Sequence, residues 1–307
     1  MENQLLTLKN NELTVQINPK GAELTHVIEN KNKFDFIWNG SEWPKHAPIL
    51  FPAIGRSTDD EYLLNQKIYP MQQHGFASDY FFEIIDQKED QISLSLKDNE
   101  ETYQSYPFQF ELKVTYQLVS KKLKIQFEIK NLSVKKLTFA LGFHPAFNLS
   151  ANFEDYQISF ETKDKTLKQF EIVKNPFPYR SGKIIEINKA VSNFPLEREF
   201  FEKGLVIFDN KIEEVKLFSQ ETDYQMTMKM ADFPYLCLWT KEDENLSYLC
   251  IEPFQGLPDI LNQKQELLQK EGNISLKSNE SKTYEVELTF NSNKNHEIFI
   301  RRFFTNE

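Results

Sequence analysis

Short runs in which apolar and polar residues alternate constrain the fold of this chain more than any other feature. Clear examples are LTVQI near the start, ISLSL at 92–96, FELKVTYQL at 110–118 and LKIQFEI at 123–129. This period of two is typical of half-buried antiparallel strands, because successive side chains of a strand point to opposite faces. Similar runs follow at fairly even spacing, separated by Asn, Asp, Lys, Gly and Pro. The sequence therefore predicts an all-β fold, a large sandwich or a barrel.

Helical patterns are scarce in the chain. The best is 259–270, where Asp259 is placed to cap a helix and four apolar residues share one side, although an irregular loop fits equally well. We find no internal repeat or flexible linker, so we expect a single domain over residues 1–290. Residues 291–307 form a C-terminal extension, either an added strand or oligomer contact, or a partly ordered terminus.

Charge and length exclude several classes of function. The chain has 307 residues, 40% of them hydrophobic, which suffices for a substantial core. Its net charge of -10 argues against nucleic acid or an anionic membrane as a partner, since both need a basic surface. The start lacks the features of a signal peptide, and no run approaches the roughly 20 apolar residues of a membrane span. We therefore expect a cytoplasmic protein, monomeric or homodimeric.

Two apolar segments, FPYLCLWT and LSYLCIEPF, contain both cysteines, which we expect to be buried free thiols. If the two segments form a symmetric hairpin, Cys237 lies opposite Cys250 and Tyr235 lies opposite Glu252. Residues of like parity share a face of the hairpin. This face, predicted to be the floor of a pocket, carries Tyr235, Cys237, Trp239, Tyr248, Cys250 and Glu252.

Four ionisable residues lie in apolar, strand-like contexts where burial of a charge is unfavourable. They are Arg56 in FPAIGR, His74 in QQHGFA, His144 in GFHPAF and Glu252 in CIEPFQGLPD. A buried ionisable group costs free energy unless it is paired or used, so these residues predict a polar pocket assembled by folding. Two imidazoles facing a carboxylate are suited to acid–base chemistry.

Each of the four has a structural alternative. A lone histidine such as His144 is more often a satisfied core residue than a catalyst, and His74 fits a turn histidine bonded to the backbone. For Glu252 a functional role is favoured over a structural one, because glutamate is rarely buried without a partner. An ordinary salt bridge competes with ligand binding for Arg56. The other candidates, His26, His46, His296 and Asp259, are expected to be structural or surface residues.

Two histidines and a carboxylate also form the ligand set of an iron site, so they are compatible with a metal enzyme. No HxD or HxE tripeptide begins at His74 or His144, and HExxH, CxxC, GxSxG, P-loop and GxGxxG patterns are absent. We therefore expect no metal ligands.

The segments that contain Arg56, His74, His144 and Glu252 resemble those of the aldose 1-epimerases (galactose mutarotases), in particular the subgroup typified by LacX. They are WPKHAPILFPAIGR at 43–56, QQHGFA at 72–77, GFHPAF at 142–147 and IEPFQGLPD at 251–259. The resemblance covers about residues 1–290. It implies a large antiparallel β-sandwich, the galactose mutarotase-like supersandwich, with a sugar cleft on one face. It also implies interconversion of the α and β anomers of a hexose without a cofactor.

The resemblance further implies residue roles. The catalytic set is His144 as general acid, Glu252 as general base, and His74 as a hydrogen-bonding partner near the ring oxygen. Arg56 anchors sugar hydroxyls. From the hairpin face predicted above, and not from the resemblance, we expect Tyr235 and Trp239 to bind substrate as well.

Three positions depart from the family pattern. Ser78 stands where many relatives have arginine, Gly204 where a sugar-binding aspartate is found, and Phe254 where tryptophan is common. The choice of sugar is therefore open. A mutarotase of a phosphorylated sugar, a non-catalytic carbohydrate-binding module and a metal-dependent sugar enzyme remain alternatives.

Overall fold

A computed structural model of the chain describes residues 4–173, 178–202, 204–219, 221–241 and 246–291. The expectations for the tail at 292–307 and for His296 lie outside the described residues. The strands, β1 to β24 in chain order, are Leu6–Lys9, Leu13–Asn18, Glu23–Glu29, Ile49–Leu50, Glu61–Leu64, Lys67–Pro70, Glu83–Gln87, Gln91–Lys97, Phe110–Val119, Lys122–Asn131, Leu137–Phe139, Leu141–Phe143, Ala146–Asn148, Tyr156–Thr162, Leu167–Val173, Tyr179–Ile187, Phe194–Pro195, Leu205–Phe208, Ile212–Ser219, Gln225–Lys229, Tyr235–Trp239, Tyr248–Gln255, Ile274–Leu276 and Ser281–Asn291.

Helical structure is limited to short pieces within these ranges. The α-helix α1 is Glu100–Ser105, and 3-10 turns are Thr58–Asp60, Ala77–Asp79, Phe153–Asp155, Arg198–Phe201 and Leu267–Gln269. In the described ranges, no helix is both long and apolar enough to cross a membrane.

Two large sheets organise the molecule. One has nine strands in the order β17-β14-β19-β20-β24-β10-β9-β8-β7. The other has eight, in the order β16-β15-β18-β21-β22-β12-β4, with β13 also paired to β22. Neighbouring strands run antiparallel in both, as in β10 with β24 and β21 with β22. The predicted all-β antiparallel sandwich is confirmed.

The core lies between the two sheets, where the alternating residues meet. In β9 and β10, buried apolar positions alternate with half-buried polar ones, as the sequence predicts. Phe127 of β10 contacts Phe143 of β12, with ring centroids 5.8 Å apart. Phe160 of β14 contacts Phe208 of β18 at 5.1 Å. These aromatic pairs join one sheet to the other across the core.

The eight-stranded sheet is buried on both faces around β22, and this positions the site. Leu249 and Ile251 point into the core between the sheets. Cys250, Glu252 and Phe254 point to the opposite face, where smaller apolar clusters lie. Because the side-chain period of a strand is two, the same strand builds the core with its odd residues and the candidate site with its even ones.

The predicted register of the β21–β22 hairpin is wrong. Cys237 pairs with Glu252 rather than Cys250, Tyr235 with Phe254, and Trp239 with Cys250. Each residue of β21 pairs with a residue two positions further along β22 than predicted. Because this shifts the pairing by two residues, the predicted residues keep their common face. Both cysteines are buried and free, as expected.

The segment 259–270 is an irregular loop with one 3-10 turn, so the helical alternative for it is wrong. Asp259 does not cap a helix there. Its Oδ2 accepts a hydrogen bond from the Thr58 N–H at 2.9 Å, and its Oδ1 pairs with Lys270 Nζ at 2.7 Å. The helix that does form, α1, is capped by Asn99, which accepts from the Glu101 and Thr102 N–H groups.

Candidate active site

A cavity of about 380 Å³ opens on the outer face of the eight-stranded sheet. This volume falls within the roughly 300–1,000 Å³ typical of small-molecule sites. Arg56, His74, His144, Glu252 and Trp239 all line it, although they are separated by almost two hundred residues in the sequence. Folding therefore brings together all four of the ionisable residues that the sequence singled out.

Glu252 and His144 form a pair at the floor of the cavity. Glu252 lies on β22, and His144 follows β12, with its N–H donating to Pro48 O at 3.0 Å. The distance from His144 Nε2 to Glu252 Oε2 is 3.2 Å. Both side chains are buried, with 9% and 2% of their surface exposed. A base and an acid thus lie within hydrogen-bond reach of each other.

Burial shifts both groups of this pair toward their neutral forms. Desolvation raises the pKa of Glu252 well above its ordinary 4.5. Desolvation lowers the pKa of His144 well below 6.5, and the nearby charge of Lys45 acts in the same direction. The pair therefore holds one proton in total over a wide range of pH, whichever of the two residues carries it.

His74 is held by the backbone of Gly55. Its own N–H donates to Gly55 O at 2.9 Å, and its Nδ1 accepts from the Gly55 N–H at 3.1 Å. Burial, with the charges of Lys45 and Arg56, lowers the pKa of His74 to about 4. The ring is therefore neutral at pH 7, and because Nδ1 is an acceptor, Nε2 carries the hydrogen.

Glycines allow this loop to approach its neighbours closely. Gly75 has a φ of +73°, and a Cβ there would lie 2.2 Å from Phe51 O. Gly55 has a φ of +63°, and a Cβ there would lie 2.5 Å from Pro258 Cγ. His74 itself has a φ of 67°, which is uncommon for a residue with a side chain. Both glycines are required by the backbone that places the His74 ring.

Arg56 lies at the mouth of the cavity and joins a polar network. Its Nη1 donates to both carboxylate oxygens of Asp60 at 3.2 Å, and its Nη2 donates to Gln73 Oε1 at 3.2 Å. The side chain is 23% exposed. The salt-bridge alternative for Arg56 is therefore real, and it coexists with a position in the cavity wall.

Tryptophan rings enclose the pair. Trp239 contacts His144 edge-on, with centroids 5.9 Å apart. Trp43, which sequence reasoning missed as a site residue, stacks on His144 at 5.0 Å with 28° between the planes. The only signal for Trp43 was an aromatic residue in a proline-rich loop. Leu205 and Ile207 of β18 were missed as well, and they line the cavity because they share its face of the sheet.

Other candidates lie elsewhere. Tyr235 is not part of the lining of the cavity, since it packs against Phe170 at 5.7 Å. His26 pairs with Asp35 at 2.6 Å, and the His46 ring contacts the His26 ring at 6.4 Å. Neither histidine lines the cavity, in keeping with the structural roles expected for them.

Comparison with known proteins identifies the family of this chain. The family model for aldose 1-epimerases matches residues 4–275. The chain belongs to the aldose 1-epimerase family.

Three relatives are similar over almost their whole length. Protein LacX of Lactococcus lactis is 27% identical over 288 residues, which is 88% of this chain and 91% of LacX. A galactose mutarotase-like protein from Lactobacillus casei has a TM-score of 0.90 and 35% identity, over 94% of this chain and 100% of that one. A galactose mutarotase related enzyme from Lactobacillus acidophilus has a TM-score of 0.86 and 30% identity, over 94% and 98%.

Proposed function

We propose that this protein interconverts the α and β anomers of a free hexose, with His144 and Glu252 as the acid–base pair. The observation that carries the proposal is the buried pair itself, 3.2 Å apart at the floor of a cavity of suitable size. Family membership supports mutarotase activity. The relatives described as galactose mutarotase-like favour galactose as the first sugar to test.

Mutarotation needs two proton transfers and no redox step, so it requires no cofactor. Glu252 as carboxylate removes the proton of the anomeric hydroxyl, while His144 as imidazolium protonates the ring oxygen. The bond from C1 to the ring oxygen breaks and leaves the open-chain aldehyde. Rotation about C1–C2 presents the other face of the carbonyl group, and closure reverses both transfers. Positioned acids and bases contribute about 10² to 10⁴ in rate each.

Burial of the pair assists the ring-opening step. Before opening, the reactive form is an ion pair, Glu252 carboxylate and His144 imidazolium. After opening, the proton has moved through the sugar, and both residues are neutral. The desolvated floor disfavours the ion pair and favours the neutral one, which is the direction of both pKa shifts. The environment thus lowers the free energy of the open-chain state relative to the ion-pair form of the closed-ring complex, which is the form that reacts.

The surrounding side chains orient the sugar. His74 donates its Nε2–H near the ring oxygen, and Arg56 donates to sugar hydroxyls from the mouth of the cavity. Trp239 supplies an apolar surface for the C–H face of the ring. Tyr235, which lies beside the lining, contributes to substrate binding through Phe254, its partner in the register.

One observation favours a second candidate, a sugar with a phosphate group. Lys45 lies in the cavity wall with Arg56, and its Nζ donates to Ser78 Oγ at 3.3 Å. Asp60 already neutralises Arg56, however, so among the described residues of the lining Lys45 is the cation left for a phosphate, rather than the cluster that phosphate recognition favours. We therefore place the neutral hexose first.

The test is the decay of optical rotation of fresh α-D-galactose and α-D-glucose with and without protein. We expect acceleration with at least one neutral sugar. If only the hexose 6-phosphates are accelerated, the second candidate replaces the first. Sugar binding without acceleration of any of them would contradict catalysis and identify a carbohydrate-binding module.

A further inference from the structure

A third potential ligand, which proton transfer does not use, lies beside the acid–base pair at the floor of the cavity. His144, Cys250 and Glu252 each offer one ligand atom, and these atoms all lie within 4.8 Å of one another. All three residues are buried. Among the described residues, this is the group of histidine, cysteine and acidic side chains placed closely enough to hold a metal ion.

The fold places the three donors together. Cys250 and Glu252 are two apart on β22, so they share the face that the cavity occupies. His144 precedes β13, whose Ala146 pairs with Cys250. The three side chains therefore converge on one buried point.

We propose that Zn²⁺ binds to His144, Cys250 and Glu252 and reversibly blocks the site. Tetrahedral zinc with bonds of about 2.0–2.2 Å to nitrogen and oxygen separates those two ligand atoms by about 3.3 Å. The His144 Nε2 to Glu252 Oε2 distance is 3.2 Å, which already fits. Cys250 Sγ lies within 4.8 Å of both of these atoms, and it completes the set of three ligands by moving toward the ion, since zinc–sulfur bonds are about 2.3 Å.

Charge balance supports zinc at this buried position. Without metal, the pair holds one proton and Cys250 holds another, and the group is neutral. Binding of Zn²⁺ releases both protons and leaves a neutral imidazole, a carboxylate and a thiolate, whose charges cancel that of the ion. No net charge is buried in the exchange. A nitrogen, oxygen and sulfur donor set suits zinc and excludes Mg²⁺, which prefers oxygen ligands.

Bound zinc stops mutarotation because it occupies the lone pairs of both the acid and the base. The fourth zinc position faces the cavity, where a sugar hydroxyl or water takes it. Sugar and zinc therefore compete for the floor of the cavity. The inhibition rests on the proposed function, whereas binding of the metal does not.

The test measures zinc binding directly, by equilibrium dialysis of chelator-treated, reduced, untagged protein. We expect one Zn²⁺ per chain, with a dissociation constant in the micromolar range or tighter, and no competition from excess Mg²⁺. Bound Co²⁺ should show thiolate charge-transfer absorption. D-galactose should weaken zinc binding, whereas sucrose, which has no free anomeric hydroxyl, should not.

Cys250→Ala should remove the Co²⁺ band, because it removes the thiolate. It should also weaken zinc binding by roughly 10- to 100-fold or more, since loss of even a residue that only supports a ligand has an effect of that size. Cys237→Ala is the control. Cys237 is the other buried thiol of the same face and lies opposite Glu252, but it is outside the group of three donors, so this variant should keep the Co²⁺ band and bind one Zn²⁺. If Cys250→Ala fails to fold, Cys250→Ser replaces it. Zinc binding that is absent, or unchanged in the Cys250 variant, would overturn the proposal. Stoichiometric binding with no mutarotation to inhibit would instead count against the proposed function.

Discussion

Four ionisable residues could be identified from the sequence because each stood in an apolar context that a charge does not enter without cause. Arg56, His74, His144 and Glu252 do line one cavity. Trp43 could not be identified in this way, because a tryptophan in a loop carries no unusual cost that points to a role. Its stacking on His144 depends on how two distant loops meet, which only the folded chain determines.

The pH dependence of the rate should follow the one-proton state of the buried pair. A second proton must enter the pair to inactivate it at acid pH, and burial lowers the pKa of His144 for that step. We therefore expect kcat to stay constant through neutral pH and to fall with a midpoint clearly below 6.5. The check is a series of polarimetric rates from neutral to acid pH. An acid limb centred at or above 6.5 would contradict the desolvated pair.

At the scale of elements, faces are easier to predict than registers. The set of residues on the cavity side of β21 and β22 follows from parity alone, but the opposite partner of each depends on the conformation of the loop between them. Helical signal fails at 259–270 for a related reason. There, long-range partners satisfy the polar groups: Asp259 bonds to Thr58 and Lys270 rather than to a helix of its own.

The Asp259–Lys270 ion pair should hold the Arg56 loop in place. Asp259 N–H donates to Arg56 O at 3.2 Å, and Lys270 Nζ donates to Ser57 Oγ at 3.0 Å. Lys270→Met leaves a buried carboxylate unpaired, which costs about 3–5 kcal/mol in the free energy of unfolding. We also expect KM to rise more than kcat falls. Denaturant titration and steady-state kinetics measure both effects.

Lys264→Met is the matched control in the same loop. Lys264 pairs with Asp59 at 3.2 Å and with Glu61 near the surface, where the acids are 71% and 37% exposed. An exposed pair contributes about 0–1 kcal/mol, so this variant should keep its stability and its KM. Equal losses in the two variants would show that burial of the Asp259 pair has no special effect.

At the scale of the whole molecule, the period of two was sufficient to predict an all-β antiparallel sandwich. It was sufficient because, in long strands such as β9 and β10, one face meets the core and the other is only partly covered. The order of strands within the two sheets does not follow from periodicity, since β10 pairs with β24, more than a hundred residues away. The sequence pattern determines which faces are buried, and tertiary packing selects the partners.

Packing across the sandwich should carry much of the stability. Phe127 is fully buried and contacts Phe143, the residue before His144. Phe127→Ala should lower the free energy of unfolding by about 3–5 kcal/mol. Phe81 is 48% exposed, and Phe81→Ala should change it by about 0.5 kcal/mol or less. Similar effects of both variants in denaturant titrations would contradict the assigned core.

The central claim is that Glu252 is the base that opens the sugar ring. The most direct measurement is the exchange rate between α- and β-D-galactose at equilibrium, followed by NMR, with wild-type protein and with Glu252→Gln. Glutamine keeps the size of the side chain but cannot accept the anomeric proton, so the account predicts a loss of about 10² to 10⁴ in rate with the fold unchanged by circular dichroism. Exchange at the wild-type rate in a folded Glu252→Gln variant would show that another group removes the proton.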